Sequence, residues 1–324
     1  MLHIAIIGSG QLGSRHLQAI AQIDLPAEIQ VVDPDRQALA VAKERFEQMS
    51  SNPNLIKISF LNSLESLNRE IDFCIISTNS DVRARVAENV LSRNDVRYLL
   101  LEKFLFQTER EFEYVGDLIE KNQVKAWVNC PRRMWPVYRE IRDHLKGGRL
   151  LEFDFSGSSW GLASNSIHLI DLIAFLGGIV EYDIGGDMID PGVIESKRKG
   201  FIEFTGSLKG AFKDGANFSI SSYKYGNVPS IITVIGEHSI HIMSEHNGRG
   251  WISSEGRHWE WCEFVFETPY QSQLTHKFIR QIEDEGSCDL PSFEESSRLH
   301  IPILNCFTSL LGYRDADYVG CPIT

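Results

Sequence analysis

Leu2-His3-Ile4-Ala5-Ile6-Ile7-Gly8-Ser9-Gly10-Gln11-Leu12-Gly13 is the stretch whose reading decides the fold. Leu2–Ile7 is a short apolar run ending in glycine, the pattern of a strand buried on both faces. Gln11–Ile23 then places Leu12, Leu17, Ile20 and Ala21 on one helical face. Between strand and helix lies G-x-G-x-x-G. Gly8 permits the tight turn, Gly10 lets the backbone approach a pyrophosphate, and Gly13 lets the helix pack closely on the strand. The helix start offers free N–H groups and a partial positive charge to phosphates. Gly8, Ser9, Gly10, Gln11, Leu12 and Gly13 are therefore candidate cofactor-binding residues.

The second strand, Glu28–Val32, runs into Asp33, twenty residues past Gly13. An acidic residue at that place accepts hydrogen bonds from an adenosine ribose and repels a 2′-phosphate, which favours NAD over NADP. Arg36 stands nearby and keeps NADP as the lesser reading. The glycine turn by itself also suits a flavin, S-adenosylmethionine or no ligand. Asp33 tips the balance to a nicotinamide dinucleotide.

Beyond Asp33 the alternation continues. Helices are expected at Arg36–Gln48, Val82–Ser92 and Glu109–Lys121, and strands at Ile56–Phe60, Ile71–Ser77, Val96–Leu101 and Val124–Val128. Strands alternating with helices imply crossover units and a mostly parallel, doubly wound sheet with both faces covered. After residue 128 the pattern changes. Met134–Lys146 and Asn165–Leu176 read as helices. Residues 181–266 are strand-rich, with Gly200–Phe204, Lys209–Phe212, Asn217–Tyr223 and Ser230–Ile235 as examples. Gln271–Glu285 and Phe293–Leu311 read as closing helices. The expectation is an α/β chain with a dinucleotide-binding domain at 1–127 and a substrate-binding, oligomer-forming α+β domain at 128–324.

Composition narrows the partners. The 324 residues carry 32 lysines and arginines against 44 aspartates and glutamates, a net charge of −12 that argues against a nucleic-acid partner. Hydrophobic residues at 43% and charged residues at 23% exclude general disorder, collagen and a coiled-coil rod. No run approaches the roughly 18 apolar residues of a membrane span. The N-terminus lacks a basic segment and a cleavage pattern, so the expected location is the cytoplasm, away from membranes. Cys74, Cys130, Cys262, Cys288, Cys306 and Cys321 form no Cys-x-x-Cys pair and are expected as reduced thiols.

Five segments in order resemble the Gfo/Idh/MocA oxidoreductases, named for glucose-fructose oxidoreductase and inositol dehydrogenase. Gly8–His16 (GSGQLGSRH) resembles that family's opening loop. Ile75–Asp81 (IISTNSD) sits where the family passes the nicotinamide ribose, which implies cofactor contacts at Thr78 and Asn79. Leu101-Glu102-Lys103-Phe104 resembles its E-K-P motif with phenylalanine for proline, adding Glu102 to the cofactor set. Arg132-Arg133-Met134-Trp135-Pro136 resembles the R-F-x-P start of the second domain. Gly161–Asp171 (GLASNSIHLID) resembles the segment ending D-x-G-x-H-x-x-D. The resemblance implies a Rossmann domain followed by an open, mainly antiparallel sheet. It also implies hydride transfer to or from a sugar-like small molecule, and pairing into homodimers or homotetramers.

A carbinol oxidation needs a base for the hydroxyl proton. A lysine desolvated beside a cationic nicotinamide is suited to that task. Lys103, ending a parallel strand, is the candidate catalytic residue; the bland alternative is a surface lysine paired with Glu102. His168 lies in the apolar run Ile167–Ile170, a usual place for a core histidine, and the resemblance makes it the catalytic partner. The family's catalytic aspartate falls at Ser164 and its glycine at Ser166. Serine hydrogen-bonds but does not act as a base near neutral pH. Ser164, Asn165 and Arg133 are the candidate substrate contacts, with a helix-start ion pair the alternative for Arg133. Asp171 is placed to bond His168 or to cap a loop. His238, His241 and His246 lack metal-site spacing, so no metal is expected. Trp251, Trp259 and Trp261 are read as sheet packing or a subunit contact. Tyr223-Lys224-Tyr225 ends a strand that could face the pocket.

Overall fold

The computed structural model describes residues 1–312 and 320–324. The chain forms two units. One comprises Met1–Pro131 and Pro269–Glu294, the other Arg132–Thr268 and Glu295–Thr324. The expected second domain is one continuous run, but residues 269–294 rejoin the first unit. There Pro291 accepts from the Val128 backbone N–H, and Ser292 bridges Trp127.

The first unit contains a six-stranded parallel sheet. Its elements are β1 (Leu2–Ile7), α1 (Gln11–Ile20), β2 (Ala27–Val32), α2 (Arg36–Glu47), β3 (Leu55–Leu61), β4 (Glu70–Ile76), α3 (Ser80–Arg93), β5 (Asp95–Leu101), α4 (Glu109–Lys121) and β6 (Lys125–Val128). The strand order is β3-β2-β1-β4-β5-β6, and every pairing is parallel. The order reverses between β1 and β4, and ligands of such sheets bind at that switch point, beyond the strands' carboxyl ends. The strands are apolar because helices cover both faces: Ile4, Ile6, Val31, Cys74, Ile76 and Leu101 are all nearly fully buried. Helix α1 stops at Ile20, three residues short of its expected end, where Asn52 donates to the Ala21 and Ile23 carbonyls. Helix α4 starts at a complete capping box, Thr108 with Glu111.

A 3-10 turn (Pro131–Met134) leads into the second unit and α5 (Pro136–Leu145), which starts two residues later than expected because Pro136 suits a first helical position. It continues through β7 (Leu150–Ser158), α6 (Leu162–Gly177), β8 (Tyr182–Ile189), β9 (Ile194–Glu195), β10 (Ile202–Glu203), β11 (Gly206–Phe212), β12 (Asn217–Tyr223), β13 (Ile231–Gly236), β14 (Ser239–Ser244), β15 (Arg249–Ser254) and β16 (Cys262–Val265). Eight strands form one sheet in the order β16-β15-β14-β13-β7-β12-β11-β8, antiparallel except for β7 with β12. Helix α7 (Thr275–Glu285) lies in the first unit. Helix α8 (Phe293–Leu310) runs from the end of that unit into the second. Along β13, Ile232 and Val234 are fully buried while Ile231 is exposed, so one sheet face carries the core. Helix α6 packs on that core through β7 and β12.

Candidate active site

At the carboxyl ends of β1 and β4 the glycine loop takes the shape its sequence demands. Gly8 has φ +91°, a conformation that favours glycine. A Cβ on Gly13 would lie 1.8 Å from the Gly8 carbonyl oxygen, so only glycine lets α1 approach β1 this closely. A Cβ on Gly10 would meet nothing within 4 Å, so the backbone there is open to a ligand. No side chain caps α1, which leaves its first-turn N–H groups for an anion.

A cleft of about 640 Å³ runs over this loop, lined by Gly8, Gly10, Asp33, Leu64, Thr78 and Asn79 among others. Asp33 is held at its edge: Oδ2 accepts from the Ser9 N–H (2.7 Å) and Ser9 Oγ (3.1 Å), and Oδ1 accepts from the Asp35 N–H (2.9 Å). Gln11 is exposed and accepts from Arg45, and Leu12 is half-buried; neither lines the cleft. Thr78 Oγ1 is buried with no hydrogen-bond partner among the described residues. Asn79 precedes α3 without capping it through its side chain. An open glycine backbone, an uncapped helix start, a fixed carboxylate and an orphaned hydroxyl fit a dinucleotide.

Lys103 follows β5, one strand beyond the switch point. It is 7% exposed, and its peptide bond to Phe104 is cis. Glu102 does not face the cleft. It is 2% exposed, and its Oε1 accepts from His16 Nε2 (2.8 Å) and Asn129 Nδ2 (2.6 Å). His16 Nδ1 in turn meets Thr275 Oγ1 at 2.9 Å, and Gln271 bonds Asn129. Burial works to raise the Glu102 carboxyl, but His16, Asn129 and Lys103 together hold it below its ordinary range. Expected as a cofactor contact, Glu102 is turned inward, toward His16 and Asn129. Sequence reasoning misses His16 and Asn129 as its partners. A histidine on the face of α1 that packs inward is the signal that could have found His16.

In the second unit, α6 carries Ser164 and His168 one turn apart on the same face, and His168 is half-buried. The helix starts three residues earlier than expected because Glu203 of β10 caps it. The Ala163 N–H donates to Glu203 Oε2 at 2.8 Å, and the Ser164 N–H reaches both carboxylate oxygens at 3.3 Å. A 6%-exposed carboxylate therefore stands where the segment itself offers only serine. Asn165 Nδ2 donates to the carbonyl of Trp160 (2.7 Å), so its amide is committed to shaping the turn.

Arg133 has the ion-pair role rather than the substrate role. The residue is 5% exposed, and its guanidinium grips Asp171 through two hydrogen bonds (2.9 and 2.7 Å), with Glu295 at 2.8 Å. Asp171 is thereby taken by Arg133, not by His168 or a loop. Burial pushes the Asp171 carboxyl up to about 6 against the pull of Arg133. Arg132 makes a second two-point pair with Glu245 (2.8 Å twice), to which Tyr138 also donates. His238 pairs with Glu255, while buried His241 stacks on His144 with ring centres 5.4 Å apart. Among the described residues no group of three or more His, Cys, Asp or Glu is arranged to hold a metal ion. All six cysteines are free, and no described helix is long and apolar enough to cross a membrane. Trp251, Trp259 and Trp261 are exposed, as are Tyr223 and Tyr225.

The strand order, the switch-point cleft and the glycine loop define a dinucleotide-binding Rossmann unit. Residues 2–130 match the Gfo/Idh/MocA family model described as oxidoreductase family, NAD-binding Rossmann fold. No curated protein matches the sequence. Among solved structures, an oxidoreductase from Agrobacterium radiobacter, in complex with NAD+, L-tartaric acid and magnesium, superposes with TM-score 0.75 at 14% identity, covering 97% of each chain. UDP-N-acetylglucosamine 3-dehydrogenase from Acidithiobacillus ferrooxidans gives 0.72 at 15% identity, covering 94% of this chain and 96% of its own. The transcriptional regulator Gal80p from Kluyveromyces lactis gives 0.70 at 17%, covering 99% and 95%. At such identities these structures share the fold, and they include both enzymes and a regulator.

Proposed function

We propose that the protein is an NAD(H)-dependent oxidoreductase acting on a sugar, cyclitol or sugar-derived acid, nucleotide-linked substrates included. The observation that carries this reading is buried Lys103 just past the carboxyl end of β5, the strand paired with β4 at the switch point, and next in sequence to Glu102, which His16 holds. The bound nicotinamide supplies the hydride acceptor or donor. In the oxidative direction Lys103, in its neutral form, takes the proton of the substrate hydroxyl; in reduction its ammonium returns it. His168 is the second proton-handling group in this reading, with Ser164 as a hydrogen-bonding contact. Asp33 favours NAD, because a 2′-phosphate would meet its fixed charge. Homodimer or homotetramer formation, checked by solution mass, belongs to the same reading.

The test is nicotinamide absorbance in both directions against a panel of sugars, cyclitols, keto sugars and nucleotide sugars. Turnover is expected, with loss of at least about a hundredfold in Lys103→Ala. Full turnover in that variant refutes the assignment. Ser164, which cannot serve as a base, favours a second reading: a dinucleotide-sensing regulator. Tight NADH binding without turnover across the panel would support that alternative.

A further inference from the structure

Arg83 is 1% exposed, on α3. Its guanidinium donates to three backbone carbonyls from two separate strand ends. One nitrogen bonds the carbonyl of Thr78, in the turn between β4 and α3. The other bonds the carbonyls of Phe104 and Leu105, the latter at 2.8 Å. Thr78 is itself locked to the glycine loop. A Cβ on Gly8 would sit 3.0 Å from the Thr78 nitrogen, and Ser77 Oγ donates to the Gly8 carbonyl at 2.7 Å. Gln107 also reaches back to Ser80 at the start of α3 (3.2 Å).

We infer that Arg83 is a positioning residue that sets the spacing between the dinucleotide turn at Thr78 and the segment carrying Lys103. This rests on the proposed function, in which Thr78 and Asn79 meet the cofactor and Lys103 handles the proton. A planar guanidinium suits the task because its donors leave in fixed directions and span two carbonyl sites at once. A strand end carries no lateral hydrogen bonds beyond its last pair, so residues 104–105 need a partner from outside the sheet. Arg83 supplies it from the helix whose start lines the cleft. On the other side of Lys103, His16 of α1 bonds the side-chain carboxylate of Glu102. Lys103 is thus flanked in sequence by residues tied to the two helices that frame the dinucleotide cleft. A displacement of about 1 Å at such a position is worth roughly a hundredfold in rate.

The experiment compares the parent protein with Arg83→Met and Arg83→Lys. NADH affinity is read by fluorescence titration, and acetylation of Lys103 by acetic anhydride is followed by mass spectrometry with and without NADH. In the parent, NADH is expected to slow Lys103 acetylation severalfold. Arg83→Met is expected to weaken NADH binding about tenfold and to abolish that protection. Arg83→Lys, which keeps the charge but not the fork, is expected to recover part of both. A merely structural role would lower the melting temperature and leave affinity and protection at parent values; that result in folded Arg83→Met overturns the inference. If Arg83→Met does not fold, Arg83→Lys carries the test, and parent-like affinity and protection there overturn it. A parent in which bound NADH leaves Lys103 acetylation unchanged removes the placement of Lys103 itself, and the inference with it.

Discussion

Replacing Gly10 and Gly13 by alanine, one at a time, separates binding of the dinucleotide from the packing that shapes its site. At Gly13 the new Cβ would lie 1.8 Å from the Gly8 oxygen and 2.8 Å from Ser77 Oγ, so the loop or α1 must move to relieve the contact. Overpacking of that kind costs about 1–3 kcal/mol. For a unit of this size that lowers the melting temperature by roughly 2–12 °C. NADH affinity falls as well, because the N–H groups that meet the pyrophosphate move with the loop. At Gly10 the backbone (φ −61°, ψ −156°) is open to alanine, and its Cβ meets nothing. Loss of a glycine N-cap and gain from a stiffer unfolded chain leave stability within about 1 kcal/mol of the parent. The methyl nevertheless occupies the approach to the pyrophosphate, so NADH affinity is expected to drop about 10–100-fold. Thermal melts and NADH fluorescence titrations on the two variants give the comparison. Parent affinity in Gly10→Ala would refute the placement of the pyrophosphate. An unchanged melt in Gly13→Ala would refute the close approach of α1 to β1.

Arg133→Met leaves Asp171 buried without its cation and is expected to cost about 3–5 kcal/mol in denaturant unfolding. Arg133→Met/Asp171→Leu is expected to cost less than either single change, and strict additivity would show that the pair is not coupled. Burial, then the charge of His144, lowers the His241 pKa from 6.5 to about 4. Its contribution to stability is therefore full above pH 6.5 and is lost as pH falls through about 4, worth about 3 kcal/mol. Asp171, raised to about 6, acts in the opposite sense: its contribution is present below its ordinary value of 3.8 and lost as pH rises through 6. Subtracting a His241→Leu pH profile from the parent's isolates the histidine, and superimposable profiles would remove it as the source. Glu203→Ala is expected to destabilise the second unit by about 1–2 kcal/mol through loss of the α6 cap, as read by thermal unfolding. An unchanged melt would assign the α6 start to its backbone alone.

Features encoded over a few consecutive residues are legible in the chain. The glycine loop, the β–α alternation to residue 128 and the extent of α4 all depend on local period. Strand β7 carries the same kind of signal, Phe153 and Phe155 alternating with Glu152, Asp154 and Ser156, yet it escapes a reading by pattern. Acidic residues on its outward side disguise a strand that lies in the middle of the sheet. Other features are set by partners far along the chain. His16 meets Thr275 across 259 positions, Arg133 meets Glu295 across 162, and Glu203 caps a helix 40 residues before it. No local pattern announces which acid a buried base will find. For the same reason the E-K motif points Glu102 at the cofactor, whereas its distant partners turn it inward.

The return of residues 269–294 has a consequence for how the protein is made. The Rossmann unit is written in two pieces, with the whole of Arg132–Thr268 inserted between them. Its sheet strands leave the ribosome first, yet Gln271 and Thr275, which close the polar cluster at His16, come only after that insertion. At roughly 5–20 residues per second the wait is about 7–27 seconds. During that interval a nascent first unit has the cleft's strands and helices but lacks the segment that covers α1. Synthesis therefore delivers the second unit's strands before the first unit is complete.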